Sequence, residues 1–293
     1  MNFIVVQSIL LIVFYTILNK KYGKNFANSS FILVIIFYFM FSICYGFEGI
    51  FECKNVKKDK RVVVSLSTLP SRIKNLDKVI ESIFKNKIKP DLIYINIPKY
   101  SKREKKEYNV PENLKNIERV KINIIDKDYG PITKLYPTLL KEIEPDTIII
   151  CIDDDKIYDK NLIKHLLSVS KRYEEDCICV SGWNYLNLGF YALPVSIPIN
   201  NVVRNVKILQ CYNGVLYKRR FFEDDFKDII KCKECLTTDD ILISKYLKYK
   251  NIKIKSVPYN FKHEDIENEG GFKLGNINIQ NNNWIKCINK KIK

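Results

Sequence analysis

The run Thr147–Ile152 is uncharged and almost wholly apolar, and Asp153, Asp154 and Asp155 follow it directly. Such a run is a strand apolar on both faces, so it belongs in the middle of a sheet covered on both sides. Three adjacent carboxylates at its end repel one another unless a cation sits among them. The chain must therefore build a covered sheet that delivers acidic charge to one edge.

The flanking pattern agrees. Val62–Leu66 reads as a short buried strand, followed by Ser67-Thr68-Leu69-Pro70-Ser71-Arg72. Ile73, Leu76, Val79, Ile80, Ile83 and Phe84 then recur at helical spacing. Leu92–Ile97 and Val120–Ile125 are further strands, and Pro137–Ile143 is a helix with Pro137 tolerable only in its first turn. This order of strands and helices predicts an α/β fold with a doubly wound, mostly parallel sheet. Further on, Asn161–Lys171 reads as a helix with Asp159 as N-cap and His165 on its polar side. Cys177–Val180 is a strand, and 183–204 is an irregular apolar loop carrying Trp183 and Tyr185. Val206–Tyr217 and Ile252–Val257 contribute strands, Asp239–Tyr249 is a helix, and 265–293 is a polar tail.

In such sheets ligands bind beyond the carboxyl ends of the strands. Three features fall there: Thr68–Arg72, the segment Asp128-Tyr-Gly-Pro-Ile-Thr-Lys134, and the aspartate triplet. Asp153 and Asp155, two apart, can point the same way in extended chain and suit Mg²⁺ or Mn²⁺ bridging to diphosphate oxygens. The bland alternative is a solvated acidic turn.

These motifs together resemble the GT-A class of nucleotide-sugar-dependent glycosyltransferases, in its family-2-like branch. The resemblance rests on the order of first-strand loop, Gly-Pro-Ile-Thr-Lys, acidic triplet, Asn213-Gly-Val-Leu-Tyr217 and Thr238-Asp239-Asp240 across residues 61–264. It implies that Thr68, Pro70, Arg72, Lys134, Asp153 and Asp154 contact the nucleoside-diphosphate sugar. It implies Asp153 and Asp155 as metal ligands, with His263 as a further one. It implies Asp240 as catalytic base with Asp239 beside it, inversion at the sugar, and Gly214 on the acceptor side. Carboxylates at a helix start are equally at home as caps. Asn96 stands where many members carry an Asp that reads the base, and Cys232-Lys-Glu-Cys235 has zinc-like spacing without a second pair.

Composition sets outer bounds. The formal charge is +16, from 49 basic and 33 acidic residues, yet only eight of the basic residues are Arg. Base readout leans on Arg forks, so nucleic acid is not the expected partner. Nine Cys, an odd number, predict free thiols and a reducing compartment. Residues 1–19 and 25–47 carry no charge and predict a membrane anchor in 1–52, as one or two helices near 2–19 and 30–50. Lys54, Lys57, Lys58, Lys60 and Arg61 beyond the second run place the catalytic domain on the cytoplasmic side. The expected activity is a membrane-anchored, metal-dependent sugar transfer to a glycan, lipid or protein acceptor. The alternatives are a nucleotidyltransferase making nucleotide sugars, disfavoured by the lack of Gly in Ser65–Arg72, and an inactive membrane scaffold of the same fold.

Overall fold

The computed structural model describes residues 56–187, 202–259 and 281–291, shorter stretches at 47–50, 192–195 and 264–266, and single positions 16, 19, 20, 23 and 278. The chain divides into two compact units, 1–47 and 48–293. The charge-free runs of the amino terminus lie largely outside the described residues, as does His263. Among the described residues no helix is long and apolar enough to cross a membrane.

The main sheet contains β1 (Val62–Ser67), β2 (Leu92–Pro98), β3 (Val120–Ile125), β4 (Ile148–Cys151), β5 (Cys177–Asn187), β6 (Ala192–Val195), β7 (Val202–Asn205), β8 (Ile208–Lys218) and β9 (Ile254–Ser256). Across the sheet they run β7-β9-β5-β8-β4-β1-β2-β3, with β6 attached to β5. The helices are α1 (Leu76–Phe84), α2 (Tyr136–Lys141), α3 (Leu162–Arg172), α4 (Asp239–Tyr249) and α5 (Asn283–Asn289), with shorter turns between.

Alternation along the central strands explains the layers. Val62, Val64 and Leu66 of β1 and Ile148 and Ile150 of β4 pack with Leu76, Ile80, Ile163 and Leu166 of α1 and α3. The intervening Val63, Ile149 and Cys151 pack on the other face, with Leu139 of α2 and Leu242 and Tyr246 of α4. Successive residues of a strand point to opposite faces, so one apolar run feeds two cores. Each fully buried Val or Ile contributes about 1.5–3 kcal/mol.

The half β3-β2-β1-β4 is parallel throughout. The other half is mixed: β9 is parallel to β5, but β8 is antiparallel to both β4 and β5, and β6 and β7 are antiparallel to their neighbours. The central sheet is mostly parallel, as expected, and the antiparallel pairs gather in its second half. A parallel partner needs a crossover of a dozen or more residues, and only four residues separate β5 from its antiparallel partner β6.

Four local expectations are corrected. The supposed loop 183–204 carries strand structure at its described positions, and Trp183 and Tyr185 sit in β5, with Trp183 opposite Ile208. Asp159 is not the N-cap of α3: that position is Asn161, whose N–H donates to Asp159 Oδ1 (2.7 Å). His165 is buried rather than on a polar face, its Nε2 3.0 Å from the Val257 carbonyl oxygen, and burial lowers its pKa. The segment 265–293 holds α5, with Cys287 and Ile288 buried, and Cys287 is disulfide-bonded to Cys235. Free thiols are thus the rule only for Cys151, Cys177, Cys179, Cys211 and Cys232 among the described cysteines. Sequence separation hid the pair: the partners are 52 positions apart in sequence, yet the fold brings them to a Cα separation of 4.8 Å.

Candidate active site

From β1 the chain steps to β2 and β3 on one side, whereas β4 pairs with β1 on the other. That reversal opens a crevice beyond the carboxyl ends of β1 and β4, the place where such sheets bind ligands. Thr68 leaves β1 there, and Asp153 leaves β4.

The loop after β1 is a turn with Pro70 second in it, as the Arg72 N–H donates to the Leu69 carbonyl (2.9 Å). Glu104 fixes the turn by accepting from the Ser71 N–H (3.0 Å) and hydroxyl (2.5 Å). Arg72 is thereby held against the triplet, 3.0 Å from Asp154 Oδ1 and 3.3 Å from Asp155 Oδ2. The Thr68 hydroxyl donates to Asp154 Oδ2 (2.6 Å). Asp154 is buried, and that burial raises its carboxyl pKa against the pull of Arg72. Asp154 thus anchors the loop. Arg72 Nε is buried and has no hydrogen-bond partner, which leaves a donor for an anionic ligand.

Asp153 and Asp155 pair with different basic side chains. The backbone bends at Asp154 and Asp155, so Asp155 faces Arg72 while Asp153 Oδ1 accepts from Lys134 Nζ at 2.6 Å. Their side chains are 31% and 39% exposed, so both keep oxygens open to a hard cation.

Lys134 ends the short turn Gly130–Lys134 and is buried. Its ammonium lies between Asp153 and Asp239, 3.2 Å from Asp239 Oδ2. Burial opposes its charge, but Asp153 and then Asp239 outweigh it and hold its pKa well above the ordinary lysine value. Beneath it, Ser65 Oγ donates to the Lys134 carbonyl (2.5 Å) and contacts Thr138 Oγ1 (2.6 Å). Asn96 is spent in this network: its amide donates to Ser65 Oγ (3.1 Å) and Thr138 Oγ1 (2.8 Å), and its carbonyl accepts from Asn123 (2.9 Å).

Asp239 and Asp240 open α4 after the N-cap Thr238, which makes no side-chain cap hydrogen bond. Their charge meets the positive end of the helix. Asp240 Oδ1 accepts from the Cys211 N–H (3.2 Å). The Asp240 carboxyl is pushed up to about 7, first by burial and then by Asp239 beside it. Its protonation therefore switches in the neutral range, as suits a general base.

Several contributors had no sequence signal. The pairing of β8 with β5 slips between Gln210 and Val215, and this bulge turns Cys211–Gly214 out of register. Gly214 sits at φ +101°, and a Cβ there would lie 3.0 Å from Leu162, so its close approach is to α3. Tyr158 is buried, accepts from the Asp153 N–H (2.9 Å), and its hydroxyl lies 3.0 Å from the Tyr212 carbonyl. Cys211, Asp239 and Asp240 also group their ligand atoms within 4.8 Å of one another. That group suits a cation less well, since Lys134 already faces Asp239 and burial keeps the Cys211 thiol protonated. Asp153 and Asp155 offer the hard oxygen donors that Mg²⁺ and Mn²⁺ prefer. A hollow of about 270 Å³ lies off the crevice at the ends of β2 and β3; Tyr108, in its wall, donates to the Thr68 carbonyl (2.8 Å).

No protein-family pattern and no curated protein matches the sequence. Solved structures do match the fold. A crystal structure of GalNAc-T7 with UDP, GalNAc and Mn²⁺ aligns with a TM-score of 0.52 and 13% identity, over 75% of this chain and 47% of that one. A crystal structure of S. aureus TarS 1–349 aligns with a TM-score of 0.43 and 15% identity, over 69% and 59%. The chain thus spans roughly half the length of those proteins, and the likeness to the GalNAc-T7 structure shows a GT-A-like α/β fold.

Proposed function

We propose that this chain is a metal-dependent glycosyltransferase that moves a sugar from a nucleoside-diphosphate donor to an acceptor hydroxyl. One observation carries this: Lys134 pairs with both Asp153 and Asp239, so the donor-side triplet and the helix-start carboxylates form a single buried network at the switch point. A fold shared with a protein crystallised with UDP, GalNAc and Mn²⁺ supports the same chemistry.

Thr68, Pro70 and Arg72 bind the donor, with Arg72 Nε available to a phosphate oxygen. Mn²⁺ or Mg²⁺ would be held by Asp153 and Asp155, with His263 as a further ligand, and supplies charge neutralisation for the leaving diphosphate. Asp154 and Lys134 hold these groups in place. Asp240 takes the proton from the acceptor hydroxyl as it attacks the anomeric carbon, with Asp239 paired to Lys134 beside it. A single base acting in one displacement inverts the sugar. Trp183 and Tyr185, half-buried with ring centroids 6.0 Å apart, supply apolar faces for a carbohydrate acceptor.

The membrane anchor belongs to the same proposal and rests on the two charge-free runs. Their basic flank favours a cytoplasmic domain. The Cys235–Cys287 pair pulls the other way, because disulfides persist in oxidising compartments. Protease protection of residues 61–293 in sealed vesicles decides between the two sides.

A panel of nucleotide sugars incubated with Mn²⁺, followed by release of nucleoside diphosphate, tests the activity. Asp155→Ala should lower turnover by about 10²–10³-fold while the domain still folds. Full turnover in that variant refutes the metal role, and release of pyrophosphate instead would mark a nucleotidyltransferase.

A further inference from the structure

The carboxyl-terminal segment grips the short stretch that delivers Asp239 and Asp240. Cys235 and Cys287 are both buried and covalently joined. Asn283 Nδ2 donates to Thr237 Oγ1 (3.1 Å), and Asn278 Nδ2 to the Thr237 carbonyl (2.7 Å). Lys245 of α4 donates to the carbonyls of Cys287 (2.6 Å), Ile288 (2.9 Å) and Lys290 at the end of α5. A cation there satisfies the last carbonyls of a helix and its negative pole.

The gripped stretch is a short chain of turns, with the Cys235 N–H donating to the Cys232 carbonyl (3.1 Å) and the Thr238 N–H to the Cys235 carbonyl (3.0 Å), so its own bonds reach no further than neighbouring residues. The Leu236 N–H reaches the Lys233 carbonyl only at 3.4 Å, and the Thr238 side chain does not cap α4. Yet it touches both halves of the site. Thr238 is followed by Asp239 and Asp240, while the Leu236 carbonyl oxygen lies 2.9 Å from the Cβ position of Gly130, at the head of the turn that carries Lys134. Gly130 has φ +70°, so the approach depends on its lacking a side chain.

We propose that α5 is a positioning element of the active site and that the Cys235–Cys287 bond locks it. With the bond closed, residues 235–238 hold Asp239 and Asp240 against Lys134 and Cys211. With it open, those residues loosen, and the catalytic carboxylates and the Lys134 turn lose their register. The donor loop Thr68–Arg72 hangs on Glu104 and Asp154 and keeps its place. This rests on the glycosyl-transfer proposal for its effect on rate, though not for its effect on structure. Opening is a two-electron reduction: each sulfur gains one electron and one proton from a dithiol, which closes to its own disulfide. Cys232 takes no part. Burial and Glu234 keep it as a thiol, its Sγ 3.5 Å from Glu234 Oε2.

The test uses the full chain, oxidised, reduced with dithiothreitol, reoxidised, and as Cys287→Ser. Non-reducing peptide mapping should recover 235 linked to 287. Opening the bond should raise amide hydrogen exchange over 236–244 and 128–135 by about tenfold or more while leaving 62–67 unchanged. With whichever UDP-hexose the wild type turns over, kcat should fall about 10–100-fold, as misplaced catalytic groups demand. The donor KM should stay within about threefold, and reoxidation should restore kcat. Cys232→Ser should behave as wild type. Unlinked cysteines in the oxidised chain, unchanged exchange at both segments, or a KM effect without a kcat effect overturns the proposal. If exchange responds but wild type turns over no nucleotide sugar, the lock stands and the glycosyl-transfer proposal falls.

Discussion

Replacing Lys134 with Met keeps the length of the side chain and its apolar stem but removes the one charge that faces both Asp153 and Asp239. The lysine and Asp239 side chains are each 11% exposed, so Asp239 would lose its counter-charge with little water to compensate. Removing one partner of a buried ion pair costs about 3–5 kcal/mol. Asp153 is more open and recovers part of its hydration, which puts the expected loss at the lower end, about 3 kcal/mol. For a domain of this size that lowers Tm by about 6–12 °C. Urea unfolding of both proteins at pH 7.5 measures it. Adding Asp239→Asn to Lys134→Met should recover about 1 kcal/mol or more, since a neutral amide needs no cation. A loss below about 1 kcal/mol, or no recovery from the added Asp239→Asn change, would refute the view that Lys134 neutralises a buried carboxylate.

Asp240 yields a pH signature of its own. Its folded pKa of about 7 lies above the ordinary aspartate value, so its contribution to stability is present below about pH 4 and lost as pH rises through 7. Asp240→Asn should therefore gain stability over wild type at pH 8 and none at pH 4 by thermal unfolding, while abolishing turnover. Wild-type turnover should climb through about pH 7 as the base loses its proton; a flat profile from pH 5 to 8 would remove Asp240 from that role. Tyr158→Phe strips the partner from the Asp153 N–H and should cost about 1–3 kcal/mol and weaken Mn²⁺-dependent UDP binding. A neutral outcome in both measurements would show that the hydroxyl does not steady Asp153.

Much of the site was legible along the chain. The apolar run before Asp153, the Pro70 turn and the acidic start of α4 each announce themselves locally, because turn chemistry, strand patterning and helix-end charge are properties of neighbouring residues. Where two carboxylates point was not legible. Alternation put Asp153 and Asp155 together, but a bend at Asp154–Asp155 sends one to Lys134 and the other to Arg72. Nor could spacing show that Asn96 is consumed by Ser65, Thr138 and Asn123, residues contributed by three other segments.

The sequence by itself determined the alternating strands and helices of residues 61–152, the two-faced central strands and the carboxylates at their ends, since period and composition act over a few residues. Tertiary structure alone decided that β8 returns antiparallel with a bulge, that cysteines 52 positions apart close into the Cys235–Cys287 bond, and that Lys134 joins Asp153 to Asp239. Those contacts depend on how distant segments meet: loss of water then raises the Asp240 pKa, and the carboxylates of Asp153 and Asp239 hold Lys134 charged against its burial, neither of which a linear pattern encodes.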